Sequence, residues 1–375
     1  MRIRHRGNRA VLAALAVLLA GCSAAGQSDT GPPGERAVSP QANDADNADN
    51  ADNADNRAPE EPGEGGTPLP SDGSGWEQAS PDPAEVEANE LGVVPVLMYH
   101  RIVEDPQGVD DRTPEDFRAE LERLAREGYV PVTAREFTGG EMDLPAGAHP
   151  VVLTFDDSSP SQFRLDADGR PAPDTAVGIL LDVAERHPGF RPVATFFVNA
   201  DPFDDPGGRK TLDWLNDHGF EIGNHTLEHT LLGKADDEWV RWDIAANKWA
   251  LSHALPGVPV VSMALPYGSM PRNRGLALEG EYRGVRYRHQ GVYLAGAGPA
   301  PSPYSADFDP GAVPRIRSQD TSGPDAPYGS TAWLDRLRDG ETERYTSDGD
   351  PERISFPRAW APRLAPAHRD AARPY

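Results

Sequence analysis

The sequence predicts an α/β fold with parallel strands from Leu91 onward. Two observations support this prediction. Short apolar runs alternate with segments whose apolar residues recur at helical spacing, and acidic or histidine side chains follow directly after two of the runs. In parallel α/β folds the loops at the carboxyl ends of the strands carry the chemistry, so we expect a site where those side chains meet.

The first strand and the first helix have the clearest local signals. Residues 93–100 form an apolar run typical of a buried strand. Thr113 is a suitable helix cap, Pro114 suits the first turn, and Gly128 suits the end of the helix. The alternation continues with a strand at 151–155, a helix at about 174–186, a strand at 193–198, a helix at about 212–218 and a strand at 220–223. This order is typical of repeated strand–helix units.

The first 21 residues have the layout of a bacterial signal peptide. Four arginines precede the 11-residue apolar run 10–20, which is shorter than the roughly 20 residues that a membrane-spanning helix needs. The sequence Leu19-Ala20-Gly21-Cys22 resembles the lipobox of bacterial lipoproteins, in which the cysteine becomes lipidated. We therefore expect cleavage before Cys22, a lipid anchor on its thiol, and an extracytoplasmic protein attached to the cell membrane.

Residues 22–90 are predicted to be a disordered acidic tether. They hold 16 acidic residues against two arginines, an Ala-Asp-Asn repeat at 45–56 and a Pro/Gly-rich stretch, so they lack the apolar residues of a core. The folded region is divided into a catalytic domain at 91–320 and a C-terminal extension at 321–375. The net charge of −24 argues against a nucleic-acid partner, and the single cysteine excludes a disulfide framework.

Two pairs of reactive side chains follow predicted strands. Asp156 and Asp157 come directly after one strand, and His225 and His229 come directly after another. On a helical turn, histidines four residues apart would project from one face and could bind a single metal ion. Either pair alone also fits a helix cap or solvated side chains. Together, two imidazoles and one carboxylate would make a catalytic metal site with open positions, and the second carboxylate would supply a base.

Three short motifs occur in order along the folded region. They are Thr154-Phe155-Asp156-Asp157, His225-Thr226-Leu227-Glu228-His229 and Leu265-Pro266-Tyr267-Gly268. These motifs resemble those of the polysaccharide deacetylases of carbohydrate esterase family 4, which have a NodB-type domain, and the resemblance spans about residues 93–318. It implies a distorted (β/α) barrel with fewer than eight complete repeats. It also implies a divalent metal, usually zinc, and hydrolysis of N-acetyl groups on a glycan.

The resemblance also implies roles for individual residues. Asp157, His225 and His229 would be the metal ligands, and Asp156 would be the general base that takes a proton from the attacking water. The backbone N–H of Tyr267 would donate a hydrogen bond to the oxyanion of the tetrahedral intermediate. The implied enzyme is a hydrolase of non-peptide carbon–nitrogen bonds, a polysaccharide N-deacetylase whose partner is an acetylated glycan.

Two departures from the family's pattern affect this interpretation. The family usually has an arginine, positioned to hold the catalytic aspartate, where this sequence has Ala264. Some deacetylases of β-1,6-linked poly-N-acetylglucosamine also have alanine there, so we expect that polymer as the substrate, with peptidoglycan second. The family's usual general-acid histidine has no counterpart after the third motif. The candidates for this acid are His100, His289, His368 and Asp156 itself.

The leading hypothesis is an anchored, metal-dependent deacetylase of a cell-envelope N-acetylglucosamine polymer. A catalytically weak or inactive glycan-binding lipoprotein is the alternative that Ala264 and the missing acid suggest. A solute-binding lipoprotein is a third hypothesis, and it would need neither His225 nor His229. Hydrolysis of O-acetyl groups would use the same chemistry. Trp333 and Trp360 could stack on sugar rings or pack against the barrel.

Overall fold

The computed structural model describes residues 81–319 and 322–375. The predicted signal peptide, the predicted lipidation site Cys22 and the predicted tether as far as Ser80 lie outside these residues. Among the described residues, no helix combines the length and the apolar character needed to cross a membrane.

Strands and helices alternate through most of the described chain. The strands are β1 (Val96–Tyr99), β2 (Tyr129–Val132), β3 (His149–Asp156), β4 (Thr195–Val198), β5 (Glu221–Asn224), β6 (Ser262–Ala264), β7 (Glu279–Tyr282), β8 (Val285–Arg288), β9 (Gly291–Ala297), β10 (Val313–Arg317), β11 (Ile354–Phe356) and β12 (Ala372–Pro374). The α-helices are α1 (Pro114–Arg126), α2 (Ala134–Gly139), α3 (Ala176–Arg186), α4 (Arg209–Asp217), α5 (Asp237–Ala254), α6 (Gly275–Leu278) and α7 (Ser330–Arg338).

Seven parallel strands form a closed barrel. Their order is β1, β10, β9, β6, β5, β4 and β3, and β3 pairs with β1 to close the ring. The remaining strand of this sheet, β2, pairs in parallel with the first half of β3, while β1 and β4 pair with its second half. The predicted α/β fold, a barrel with fewer than eight complete repeats, is confirmed.

Capping residues explain where the predicted helices begin. The hydroxyl of Thr113 accepts a hydrogen bond from the N–H of Asp116, and Pro114 occupies the first turn of α1. α3 begins two residues later than predicted, because the hydroxyl of Thr175 caps it by accepting a hydrogen bond from the N–H of Gly178. The longest helix, α5, was not among the predicted elements.

β3 separates an outer layer of the core from the barrel interior. Leu153 and Phe155 pack with α1 and α3 outside the barrel. Val152 points the other way and belongs to the same cluster as Val313 of β10. Because side chains alternate along a strand, Asp156 shares the inner face with Val152. The alternation of β3 therefore directs one of the two predicted catalytic acids into the barrel.

The folded region begins before the predicted boundary between tether and domain. The prediction placed Ala88 and Glu90 in the tether, but the structure buries both. The carboxyl group of Glu90 accepts hydrogen bonds from the hydroxyl of Tyr345 and the N–H of Ser355, at 2.9 and 2.7 Å. These partners lie more than 250 residues further along the chain. An acidic residue that local composition assigns to a solvated tether is therefore part of the folded domain.

The C-terminal extension packs against the barrel and against the start of the folded region. Leu334 of α7 lies in the outer core, and β11 pairs with β12 at the end of the chain. The hydroxyl of Tyr375 donates a hydrogen bond to the carbonyl of Ala88 at 2.9 Å. Ala84, Asn89 and Tyr375 line a cavity of about 710 Å³ together with His149, the first residue of β3. Both ends of the described chain therefore meet at the amino end of β3.

Candidate metal centre

Asp156 is the last residue of β3 and is held by a buried arginine. It is 3% exposed, and its two carboxylate oxygens accept hydrogen bonds from Arg315 at 2.7 and 2.6 Å. Arg315 is fully buried and also donates to the hydroxyl of Thr154 and the carbonyl of Leu294. Burial alone would raise the pKa of Asp156, but the charge of Arg315, together with that of His225 whenever its ring is protonated, outweighs burial and holds this pKa below its usual value. Asp156 is therefore an ionised carboxylate in a fixed orientation.

Arg315 was missed by the sequence analysis. The family's pattern places an arginine where this chain has Ala264, and the structure has only a buried methyl group there, in β6. Arg315 instead reaches Asp156 from β10, 51 residues further along the chain. The replacement is not local, so no single motif contains it. The available signal was an arginine at an inward position of a short, partly apolar strand, where a charged residue needs a partner.

Asp157, His225 and His229 form a three-residue cluster with the chemistry of a metal site. The Nε2 atoms of the two histidines lie 3.3 and 3.2 Å from Oδ1 of Asp157. One potential ligand atom from each residue lies within 4.8 Å of the other two. Two imidazole nitrogens and one carboxylate oxygen are typical zinc ligands in catalytic sites. The residues present therefore fit the divalent metal that the resemblance implies.

The surroundings of His225 orient its ring for this role. Its Nδ1 atom lies 2.9 Å from the carbonyl oxygen of Ala264. We assign the ring proton to Nδ1, which donates to that carbonyl and leaves the lone pair of Nε2 facing Asp157. Burial alone would lower the pKa of His225, but the negative charges of Asp156 and Asp157 raise it. The two carboxylates therefore create a negative environment that would equally favour a bound cation.

The two histidines do not lie on a helical turn, contrary to the prediction. His225 follows β5, and the chain then runs through an irregular loop in which Thr226 and His229 have φ angles of 61° and 51°. Asp157 and Tyr267 also have positive φ angles, of 74° and 57°. Non-glycine residues rarely adopt this left-handed conformation, which costs roughly 1–3 kcal/mol for each residue. Other contacts must therefore hold the loop in place.

α5 supplies those contacts from its buried face. The carboxylate of Asp243, which is 0% exposed, accepts hydrogen bonds from the N–H groups of Leu227 and Glu228, both at 2.8 Å. The side chain of Asn247 donates to the side chain of Asn224 at 2.9 Å. These two residues of α5 were also missed by the sequence analysis. The sequence feature that could have identified them is a pair of polar residues four positions apart on the inner face of a helix.

All five residues predicted for the reaction line one pocket at the carboxyl ends of the strands. The pocket has a volume of about 370 Å³ and contains Asp156, Asp157, His225, His229 and Tyr267. Tyr267 is mostly exposed, and its ring packs edge-on against the ring of His229, with 4.6 Å between centroids. The positions of these residues follow the prediction, although the histidine loop is not helical.

Only one of the three histidine candidates for the general acid lies in this pocket. His100, directly after β1, lines it, and its Nδ1 atom is buried without a hydrogen-bond partner among the described residues. His289 is buried elsewhere, its Nδ1 atom lies 2.7 Å from the carbonyl of Ala277, and burial lowers its pKa to about 4. His368 packs on Tyr304 in the C-terminal extension. The geometry therefore favours His100 among the three.

Several solved structures are similar to part of this chain. The Streptococcus pyogenes deacetylase PplD in complex with acetate is 20% identical, with 62% of this chain and 96% of that chain covered and a TM-score of 0.46. IcaB from Ammonifex degensii is 20% identical, and the match covers 64% of this chain and 97% of IcaB with a TM-score of 0.44. The putative polysaccharide deacetylase BA0330 from Bacillus anthracis is 19% identical, with 62% and 67% covered and a TM-score of 0.45. No curated protein sequence matches the chain.

Residues 143–282 match the polysaccharide deacetylase family. This span runs from just before β3 to the end of β7 and contains all five predicted site residues. Arg315 and His100 lie outside the span, although the barrel brings both to the same site. Over this span the chain is therefore similar to the polysaccharide deacetylases, which are hydrolytic enzymes.

Proposed function

We propose that the protein hydrolyses N-acetyl groups on a cell-envelope polymer of N-acetylglucosamine and that it needs a divalent metal, zinc in particular, to do so. One observation carries this proposal. A buried carboxylate, Asp156, is fixed by Arg315 beside the cluster of Asp157, His225 and His229, all at one strand end of the barrel. A positioned base next to a three-ligand cluster with nitrogen and oxygen donors suits metal-assisted hydrolysis.

Each group in the pocket has a role in this reaction. A divalent metal held by Asp157, His225 and His229 would polarise the acetyl carbonyl and make water more acidic. Asp156 takes the proton from the attacking water on a carboxylate lone pair that Arg315 does not use. The backbone N–H of Tyr267 donates to the oxyanion of the tetrahedral intermediate.

The leaving amine needs a proton before the carbon–nitrogen bond breaks. His100 is the donor that we favour, because it lines the pocket and its Nδ1 atom has no partner among the described residues. Asp156 remains the second candidate, since it holds the proton taken from water. The products are acetate and a free amino group on the sugar.

The substrate is proposed to be poly-N-acetylglucosamine, with peptidoglycan second. This order rests on Ala264, directly before the third motif, where some deacetylases of that polymer also have alanine. The inactive glycan-binding alternative rested partly on the missing arginine at Ala264, and Arg315 supplies a guanidinium group to Asp156 instead. A lipid anchor at Cys22 and an extracytoplasmic location remain part of the proposal, and mass measurement of Cys22 in purified membranes would test them.

Acetate release tests the proposed reaction. The full chain should release acetate from poly-N-acetylglucosamine or peptidoglycan, a chelator should abolish release, and zinc should restore it. Asp157→Ala should lose metal binding and activity together. His100→Ala should lower kcat by about 100-fold or more, in line with the usual contribution of a general acid, whereas the matched control His368→Ala should not. Binding of either polymer without acetate release would instead support the inactive glycan-binding protein.

A further inference from the structure

The outward face of α5 carries an aromatic stripe that the metal site does not use. We define this stripe as Trp239, Trp242, Trp249 and His253, which lie on one side of the helix. Trp239 and Trp249 are 47% and 53% exposed. The two tryptophans that the sequence analysis considered for glycan contact, Trp333 and Trp360, are instead partly buried against the core. Large exposed aromatic side chains next to one another indicate a binding surface.

A groove of about 460 Å³ runs between this stripe and the β7–β8 hairpin. Trp242 and Trp249 line the α5 side, and Tyr282 lines the hairpin side. Small alanine side chains of α5 lie between the two tryptophans, and the charged residue of the lining is Arg283. Trp239 does not line the groove, although it lies on the same helix. The groove is therefore concave, mostly apolar and bordered by flat rings.

One lining residue of the groove lies in the loop that holds two candidate metal ligands. This residue, Leu227, lies between His225 and His229 in the sequence. Its N–H donates a hydrogen bond to the buried carboxylate of Asp243 in α5. The same loop therefore carries two candidate metal ligands and one wall residue of the groove.

We propose that this aromatic groove binds sugar units of the glycan polymer that are remote from the unit being deacetylated. The proposal rests on the proposed function for the identity of the polymer. N-acetylglucosamine rings have apolar C–H faces that stack on aromatic side chains, and Arg283 offers N–H donors to hydroxyl or acetyl oxygens. Trp242 and Trp249 are seven residues apart, or about 10 Å along the helix axis. That distance exceeds one sugar ring, so the groove holds at least two consecutive units.

The shape and charge of this surface favour a glycan over a membrane. A flat lipid surface would touch the exposed Trp239 and Trp249 but not the recessed alanine floor between α5 and the hairpin. Exposed acidic residues Asp236, Asp237 and Glu238 lie at the start of α5, beside the stripe, and would be repelled by anionic lipid. A neutral polymer of N-acetylglucosamine meets no such repulsion.

Substitution of an exposed tryptophan in the groove and of an exposed tyrosine outside it tests the proposal. Binding of long poly-N-acetylglucosamine is measured by calorimetry on the full chain carrying Asp157→Ala, so that turnover does not change the polymer. Adding Trp249→Ala should weaken binding about tenfold, which corresponds to the loss of one stacking contact. Tyr328→Ala, which removes an exposed ring that does not line the groove, should leave binding unchanged. Trp249→Phe should restore most of the affinity.

A kinetic comparison gives a second measurement on the active chain. Trp249→Ala should raise KM about tenfold for long oligomers, with little change in kcat and no change in KM for the disaccharide, which does not reach the groove. Equal effects of Trp249→Ala and Tyr328→Ala would overturn the proposal. The proposal would also be overturned if the Asp157→Ala parent chain bound no polymer. It would likewise be overturned if Trp249→Ala lost binding to phosphatidylglycerol–phosphatidylethanolamine vesicles but kept its binding to the polymer.

Two controls keep the outcomes separate. If Trp249→Ala loses its native circular dichroism spectrum, Tyr282→Ala on the hairpin replaces it and must weaken polymer binding. Polymer binding that depends on Trp249, in a chain that releases no acetate under any metal condition, would overturn the proposed function and keep the groove. If the chain releases acetate but neither Trp249→Ala nor Tyr282→Ala weakens polymer binding, the proposed function stands and the groove proposal is overturned.

Discussion

Removal of Arg315 tests how Asp156 is held. Arg315→Met keeps most of the side-chain volume but leaves Asp156, at 3% exposure, without its two hydrogen bonds of 2.7 and 2.6 Å. Loss of one partner from a buried ion pair typically costs about 3–5 kcal/mol, because an uncompensated charge stays buried. That cost is a large part of the roughly 5–15 kcal/mol by which folded domains are stable. We therefore expect a clearly lowered free energy of unfolding.

A double-mutant cycle separates the charge effect from simple packing. Asp156→Asn in the Arg315→Met background removes the unpaired carboxylate, so the double variant should be at least about 2 kcal/mol more stable than the sum of the single effects predicts. Urea unfolding of the full chain, followed by circular dichroism, measures all four proteins at one pH. A cost below about 1 kcal/mol for Arg315→Met, or effects that add within about 0.5 kcal/mol, would refute the reasoning. Arg315→Lys should lose less stability than Arg315→Met but should not match the unsubstituted chain, since lysine cannot bind both oxygens in a planar fork.

Two further predictions concern groups far from the reacting atoms. Burial and the charge of Asp348 raise the pKa of Glu90 from 4.5 to about 8, so the folded chain keeps a proton that the unfolded chain releases. The free energy of unfolding should therefore fall by up to about 5 kcal/mol between about pH 4.5 and pH 8. Glu90→Gln should remove this pH dependence in urea unfolding. An unchanged pH dependence in that variant would contradict the assignment of the slope to Glu90. Asp243→Ala should weaken zinc binding about 10- to 100-fold by calorimetry, because two loop N–H groups lose their acceptor. The exposed helix cap Asp236 serves as the control, and an equal effect of Asp236→Ala would argue against a specific role for Asp243.

Elements with complete local signals were predicted closely. α1 has its cap, its proline and its apolar face within one segment, and β3 extends the predicted strand by only a few residues at its start and one at its end. α5 escaped prediction because both of its faces are mixed in polarity: Trp239 and Trp249 are exposed, whereas Asp243 and Asn247 are buried beside apolar residues of the same helix. Periodicity identifies a helix only when apolar residues face the core.

The site was predicted where its residues lie in motifs and missed where they do not. Asp157, His225 and His229 have sequence neighbours that mark them, and the barrel brings them together. Arg315 and Glu90 depend on partners far along the chain, and their environments exist only after the chain folds. Local composition treats both as ordinary charged residues, so their roles require the topology of the barrel.

The reaction pocket and the start of the described chain lie at opposite ends of β3. The chain enters the folded region beside His149, and the reaction pocket opens beside Asp156. Seven steps along the strand separate these two residues, a distance of about 23 Å. Ala84 and Asn89, near the start of the described chain, therefore lie at the end of β3 opposite the pocket. A polymer strand can approach the pocket without meeting these residues or the C-terminal Tyr375.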